Sequence, residues 1–122
     1  MHGYRELIVW KKSMILVKLI YKISSQFPKQ ELYCLVNQIR RCAISIPSNI
    51  AEGRMRGTKK EYLQFLRIAY GSGAELETQL EIAKELNYIS QKDLSEVELL
   101  LEEVMKMLNS MISKINPRNL RS

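Results

Sequence analysis

Residues 58–85 read TKKEYLQFLRIAYGSGAELETQLEIAKE. Thr58 and Glu61 are spaced as in a capping box, in which two side chains satisfy the free backbone amides at the start of a helix. Behind them runs a stripe of apolar and small residues spaced alternately by four and three positions: Tyr62, Leu66, Ala69, Gly73, Leu76, Leu80 and Ala83. This spacing predicts one long helix that buries a single face. Gly71 and Gly73 each cost such a helix about 1 kcal/mol relative to alanine, so we expect a neighbouring helix to approach closely at these positions.

A second helical pattern lies upstream, at about residues 30–52. Its apolar stripe consists of Leu35, Ile39, Cys42, Ile46 and Ile50. Pro47 lies inside the pattern and removes one backbone donor, so we expect a kink there, with Ser48 or Asn49 close to the carbonyl group that is freed. Gly53 is placed to end this helix.

The first helical segment, at about residues 6–25, carries two apolar rows on different sides. The main row is Leu7, Trp10, Met14, Val17 and Tyr21, and the second row is Val9, Leu16, Ile20, Ile23 and Phe27. A helix with two such rows needs cover on more than one side, either from the rest of the bundle or from another subunit.

The last helix is predicted to begin near Ser90, with Asp93 as its capping partner, and to end at Asn116. Its stripe is Leu94, Val97, Leu101, Val104, Leu108, Met111 and Ile115.

Together these segments predict an all-α fold, because short connections place consecutive helices side by side and antiparallel. We predict an antiparallel up-down-up-down four-helix bundle whose second helix is kinked at Pro47. One domain covers residues 1–116, and residues 117–122 form a basic C-terminal tail. The alternative is a long coiled-coil rod, which the turn signals at residues 27–28, 53–57 and 87–90 disfavour.

The composition excludes most catalytic chemistry. The 122 residues include a single histidine, His2, which excludes a histidine-based triad, a histidine-rich zinc site and a Glu-x-x-His di-iron site. Glu77, Glu81 and Glu85 share one helix face, which we interpret as a solvated acidic surface rather than a catalytic site. We therefore predict a protein that is not an enzyme and that uses no metal and no cofactor.

The cysteines and the hydropathy of the chain favour a cytoplasmic protein. Cys34 and Cys42 lie on one predicted helix, about 12 Å apart at 1.5 Å per residue, which is too far for a disulfide. We expect both to be buried and reduced. No signal peptide opens the sequence, and no stretch reaches the roughly 20 apolar residues that span a bilayer, so we predict no membrane partner.

The charge of the chain is unevenly distributed. The net charge at pH 7 is +6, and residues 1–70 contain 13 Lys and Arg against four Asp and Glu, whereas residues 71–122 contain six against nine. Such an excess is typical of a surface that binds polyanions, either nucleic acid or an acidic protein. The alternative is a solvated basic surface without a partner.

We predict that basic residues of the first three helical segments contact phosphate groups. The candidate nucleic-acid-binding residues are Lys11, Lys18, Lys22, Arg40, Arg41, Arg54, Arg56, Lys59, Lys60 and Arg67. Guanidinium groups bind phosphate through two parallel hydrogen bonds. Tyr4, Tyr33 and Tyr62 fit either base stacking or core packing, and the sequence leaves both open. No base-reading module is recognisable, so binding would follow shape and phosphates rather than base sequence.

Residues 38–53 read QIRRCAISIPSNIAEG, and this run carries a family resemblance. Further matching strings are VWK at residues 9–11, FP at 27–28, KEY at 60–62, FL at 65–66, IA at 68–69, GS at 71–72 and ELETQL at 75–80. Over about residues 4–90 the chain resembles the four-helix-bundle proteins encoded in intervening sequences of bacterial 23S ribosomal RNA genes. Cys42 stands where this family usually has alanine, and Gly73 where it usually has a larger residue.

The resemblance has implications for assembly and partners. It implies an antiparallel four-helix bundle that assembles as a ring-like homopentamer, which would cover the second apolar row of the first helix. The family is also similar, more distantly, to the accessory protein of diversity-generating retroelements, a basic pentameric barrel that partners a reverse transcriptase and nucleic acid.

Two functions remain open at the level of sequence. The first is nucleic-acid binding by a non-enzymatic basic oligomer. Its favoured ligand is structured RNA, with ribosomal RNA as one candidate. The second is a protein-interaction scaffold, an accessory subunit whose basic face docks a nucleic-acid enzyme such as a reverse transcriptase.

Overall fold

The computed structural model describes residues 3–115, and within this range the chain is all-helical, with no strands. The four helices are α1 (Ile8–Ser24), α2 (Leu35–Met55), α3 (Lys59–Glu85) and α4 (Gln91–Ile115). Single 3₁₀ turns at Tyr4–Glu6 and Lys29–Glu31 precede α1 and α2. The predicted tail at residues 117–122 lies outside the described residues, as does His2.

The helices contact one another as four sides of a bundle. Each helix contacts the next one in the chain, and α1 also contacts α4. The α2–α3 contact is the most extensive, and its residue pairs run in opposite order along the two helices. Gly53 lies against Phe65, Ser45 meets Ser72, and Cys42 meets Glu75. On the opposite side of the bundle, Lys12 of α1 pairs with Glu103 of α4 at 2.8 Å.

Most of the predicted stripes face the core. In α3, every stripe residue from Leu66 to Ala83 is buried, and in α4 the stripe is buried from Leu94 to Leu108. For α1, the prediction was wrong about which of the two apolar rows faces the core. The second row is the buried one, whereas the main row is only half-buried and its last member, Tyr21, is exposed. Periodicity identifies apolar rows but cannot tell which of two rows meets the other helices.

The start and end of α2 differ from the prediction. The helix begins at Leu35, and Cys34, which precedes it, is exposed rather than buried. Gly53 does not end the helix, which continues to Met55. This glycine is instead buried against α3, at a position where a side chain would not fit. Of the glycines in α3, Gly73 meets the side chain of Met105 on α4 as predicted, but Gly71 faces open space.

Pro47 lies buried in the middle of α2, which is helical on both sides of it without a break. The side-chain amide of Asn49 donates to the carbonyl oxygen of Ser45 at 2.8 Å and to its hydroxyl at 2.9 Å. Asn49 therefore supports the turn around the proline, and it does so at Ser45 rather than at the carbonyl of Ala43 that the proline leaves without its usual donor. The kink itself stays a prediction.

The N-caps predicted at Thr58 and Ser90 are confirmed, whereas the Glu61 carboxylate bonds the Thr58 hydroxyl and not the Thr58 backbone amide that a capping box would give it. The Thr58 hydroxyl accepts a hydrogen bond from the Glu61 amide at 3.1 Å and donates to the Glu61 carboxylate at 3.0 Å. At the start of α4, the Ser90 hydroxyl accepts from the Asp93 amide at 3.1 Å. Both helices thus begin at side chains that satisfy otherwise free amides.

Removal of the α3 cap should measurably destabilise the protein. We expect Thr58→Ala to lower the free energy of unfolding by about 1 kcal/mol, because the Glu61 amide loses its acceptor. Thr78→Ala is the matched control, since Thr78 is exposed in mid-helix and its hydroxyl bonds only the Ala74 carbonyl one turn back. Urea unfolding of both variants checks this, and equal stability of the two would contradict it.

Candidate nucleic-acid interface

The predicted phosphate-binding residues are spread along the bundle rather than gathered in one cluster. Arg41 and Arg54 both lie on α2, separated by about 20 Å along its axis at 1.5 Å per residue. Lys59, at the start of α3, lies near Arg54, and both residues line the same small cavity. A single phosphate therefore cannot engage the whole set, whereas an extended polyanion can.

The most defined part of the set is the corner where α2 turns into α3. A cavity of about 160 Å³ opens there, and the residues that line it, which we call the α2–α3 corner, are Gly53, Arg54, Gly57, Thr58, Lys59 and Tyr62. Gly57 makes the turn with a φ of 97°, a conformation that favours glycine. The corner thus brings two cations and a hydroxyl to one concave site.

Arg54 is held in this corner without a counter-charge. Its guanidinium lies 5.9 Å from the centre of the Tyr62 ring, and its Nε is buried with no acceptor among the described residues. Burial of the Tyr62 phenol raises its pKa, and the charge of Arg54 acts in the opposite direction. Because no carboxylate among residues 3–115 pairs with Arg54, its charge is available to an anion that enters the cavity.

Arg56, two residues further on, is already engaged. Its guanidinium pairs with Glu61 at 3.1 Å and with Glu52 at 3.6 Å, and it lies 5.2 Å from the centre of the Phe65 ring. These contacts tie the end of α2 to the start of α3, so two carboxylates offset the charge of Arg56.

Arg40 is also engaged, at the other end of α2. Its Nε donates to the Ser24 hydroxyl at 3.0 Å, and its guanidinium lies 4.5 Å from the centre of the Tyr21 ring. It thereby joins α2 to the last turn of α1. Its neighbour Arg41 is exposed.

The remaining cations are exposed on α1 and on the first part of α3. On α1, Lys11, Lys18 and Lys22 form one stripe, with the exposed Ile8 one turn before Lys11 and the exposed Ile15 between Lys11 and Lys18. Among the residues that the structure describes, the candidates without an ion pair are Lys11, Lys18, Lys22, Arg40, Arg41, Arg54, Lys59, Lys60 and Arg67.

The three tyrosines, for which the sequence left base stacking and core packing both open, differ in their exposure. Tyr4 packs against Trp10 with ring centres 5.2 Å apart, and Tyr62 is half-buried beneath Arg54. Tyr33, by contrast, is 87% exposed. Only this one of the three presents its ring to solvent.

The three glutamates that share one face of α3 lie at the surface, as the sequence predicted. Glu77, Glu81 and Glu85 are exposed and line an open groove of about 490 Å³ with Ile82 and Leu86. In residues 3–115 no three histidine, cysteine or acidic side chains come together as a metal site would need. Likewise, no helix in this range is long and apolar enough to cross a membrane.

Two polar contacts lie within the packed α2–α3 interface, one between serines and one at Cys42. The Ser45 and Ser72 hydroxyls share a hydrogen bond of 2.7 Å, and the Asn49 amide also donates to the Ser45 hydroxyl, so both serines have partners within the contact. Cys42 is buried, and this burial raises the pKa of its thiol, which keeps it protonated and unreactive near neutral pH.

One surface was not singled out from the sequence. Trp10, Met14 and Val17 of α1, with Ile44 and Pro47 of α2, line an apolar groove of about 340 Å³, which we call the α1–α2 groove. The signal was present in the two apolar rows of the first helix, since a row that is not in the core must lie at the surface or beneath another molecule.

Comparison with known proteins places this architecture in a family. The family model described as 23S rRNA-intervening sequence protein matches residues 5–110. The chain belongs to this family. The resemblance predicted from residues 38–53 is thereby confirmed, and the 23S rRNA-intervening sequence protein family accounts for nearly the whole described chain.

A solved structure supports the same assignment. A protein of unknown function from the S23 ribosomal protein family of Bacteroides thetaiotaomicron superposes with a TM-score of 0.80 at 25% identity. The match covers 86% of this chain and 98% of that one. A search of curated proteins finds no significant match.

Proposed function

We propose that this member of the 23S rRNA-intervening sequence protein family is a non-enzymatic, basic oligomeric bundle that binds nucleic acid, with structured RNA as the preferred ligand. The observation that carries this proposal is the set of cations on α1, α2 and the start of α3 that have no carboxylate partner among the described residues. Unpaired surface cations in this number attract a polyanion and hold it by releasing its counterions.

The α2–α3 corner is the anchoring point in this proposal. Arg54 is positioned over Tyr62 before any ligand arrives, so its guanidinium loses little freedom when it binds a phosphate. Lys59 lines the same cavity and adds a second charge. The lysines of α1 and Arg41 extend the contact along the bundle, whereas Arg40 and Arg56 contribute less because other groups already engage them.

RNA is favoured over DNA by family context. The family name refers to sequences that interrupt 23S ribosomal RNA genes, which makes ribosomal RNA the first ligand to try. The related Bacteroides protein is itself of unknown function and does not decide between the ligands. No base-reading module is recognisable in the sequence, so the contacts proposed are to phosphate and sugar.

The proposed assembly is an up-down-up-down bundle, kinked at Pro47, that associates with further copies of itself. The opposed order of the α2–α3 pairs supports alternating helix directions. So does the α1–α4 side, where Lys12 pairs with Glu103 while the earlier residue Ile8 shares a groove with the later residue Met111. The α1–α2 groove and the exposed side chains of Ile8 and Ile15 support self-association, because each leaves apolar surface uncovered on a single chain. The homopentamer is the state that the family resemblance implies.

The test of nucleic-acid binding is a salt titration with a labelled, structured ribosomal RNA fragment. Each cation that reaches a phosphate contributes about 0.7 to 0.9 to the slope of log affinity against log salt. We expect a slope of about −3 or steeper, which corresponds to four or more such contacts. Duplex DNA of equal length is the competitor that checks the preference for RNA. Absence of binding at low salt, or binding that salt does not weaken, would contradict the proposal.

A second candidate function, a scaffold that docks a partner enzyme, is favoured by the α1–α2 groove. Its lining is apolar and includes Trp10, and aromatic side chains in grooves often anchor protein partners. A protein retained from lysate in stoichiometric amount after nuclease treatment, and lost with Ile44→Lys, would favour the scaffold. Retention that ends with nuclease treatment would favour nucleic-acid binding.

A further inference from the structure

Tyr33 is the most exposed large apolar side chain among residues 3–115, at 87%. Its neighbour Leu32 is 44% exposed. Tyrosine normally buries most of its ring and leaves only the hydroxyl in water. A ring that is exposed to solvent does not gain the stabilisation that burial of its apolar surface would give, so its exposure needs a physical explanation.

The turn that carries Tyr33 is fixed on both sides. The Glu31 carboxylate accepts a hydrogen bond from the Tyr88 hydroxyl at 2.9 Å and another from the Leu35 amide at 3.4 Å. The Cys34 amide donates to the Glu31 carbonyl at 3.0 Å. Buried Phe27 packs against Tyr88 with ring centres 5.8 Å apart. The exposure of Tyr33 is thus imposed by an anchored turn and does not come from a loose loop.

Two exposed cations flank Tyr33 along the chain, and the one carboxylate of the same turn, that of Glu31, is engaged by Tyr88. Lys29 precedes it in the same turn and is exposed, and Arg41 is exposed two turns into α2. Arg41 lies about 10 Å along the helix axis from the start of α2, a distance that a few stacked nucleotides cover at 3.4 Å each. Exposed aromatic rings among cations are the elements with which proteins hold single-stranded nucleic acid.

We propose that Tyr33 is a stacking platform for an unpaired base, and that the preferred ligand is therefore RNA with single-stranded nucleotides rather than a continuous duplex. The inference rests on the proposed nucleic-acid binding and names the ligand class within it. In a duplex every base is already stacked and paired, so the ring finds no free face, whereas an unpaired base offers one. A protein partner is the weaker interpretation, since one ring and one leucine are far smaller than the about 800 Å² that a stable interface buries on each side.

The test compares Tyr33→Ala with wild type on two labelled RNAs of equal length, one single-stranded and one fully duplex. Loss of one stacked base typically weakens binding by about 5- to 150-fold, so we expect this loss on the single strand and less than a twofold change on the duplex. Tyr33→Phe should bind both RNAs as wild type does, because the ring is kept. Leu99→Ala, which truncates a 70% exposed side chain on α4, is the matched control.

The outcomes distinguish a failure of the stacking inference from a failure of the proposed nucleic-acid binding. If wild type binds the single strand and Tyr33→Ala binds it equally well, the stacking inference is overturned while nucleic-acid binding stands. An equal loss on both RNAs also overturns it, because the ring would then act without an unpaired base. If wild type binds neither RNA at low salt, the proposed function fails and the inference fails with it. Circular dichroism of each variant confirms that the exposed substitution leaves the helices intact.

Discussion

Gly53→Ala should lower the free energy of unfolding by about 2 kcal/mol, whereas the same change at Gly71 should raise it by up to about 1 kcal/mol. A methyl group on Gly53 would lie 2.6 Å from the Cβ of Phe65 and 3.2 Å from the Tyr62 ring. The Cβ of Phe65 is fixed to the backbone of α3, so the two helices must move apart. At Gly71 a methyl group meets nothing within 4 Å, and only the better helix propensity of alanine remains.

Thermal and urea unfolding of the two variants measure this difference, and Gly73→Ala provides a third point. A methyl group there meets the end of the flexible Met105 side chain, which can rotate away, so we expect an intermediate effect. If Gly53→Ala is as stable as wild type, the close α2–α3 contact is wrong. A destabilising Gly71→Ala would mean instead that the outer face of α3 is covered by another molecule in solution.

Reversal of two charges in the α2–α3 corner should weaken RNA binding by about 25- to 60-fold at 0.1 M salt. We expect this of the double variant Arg54→Glu/Lys59→Glu, because two phosphate contacts contribute about 1.4 to 1.8 to the salt slope and their stabilisation is largest at low salt. The slope itself should become shallower by the same amount. Arg56 is left unchanged, since a glutamate at that position would face Glu52 and Glu61 and destabilise the fold.

The matched control is Lys92→Glu/Lys114→Glu, which alters the net charge equally at two exposed positions on the acidic part of the chain, whereas Lys84 is avoided because it pairs with Glu81. It should change the affinity for RNA much less, because neither lysine belongs to the proposed interface. Fluorescence anisotropy over a range of salt concentrations measures both variants, and melting curves show that each is folded. Equal losses from the two variants would mean that only total charge matters and that the corner is not an anchoring point.

The sequence predicted which basic residues could form the interface, but not which of their side chains are left without a partner inside the folded chain. Arg40, Arg54 and Arg56 look alike in the sequence, and each stands near apolar stripe residues. In the folded chain, Ser24 and Tyr21 engage Arg40, two carboxylates engage Arg56, and no carboxylate among the described residues pairs with Arg54. Ser24 and Glu61 lie on other elements, so these pairings depend on how those elements pack.

The sequence by itself determined the helices, the buried stripes of α3 and α4, and the caps at Thr58 and Ser90. These features depend on residues three or four positions apart, which a helix brings together whatever surrounds it. Only the tertiary structure decided which apolar row of α1 enters the core, that Gly53 lies inside α2 rather than at its end, and that Tyr33 stands in solvent. Each of these depends on which other helix lies alongside, and local spacing carries no information about that neighbour.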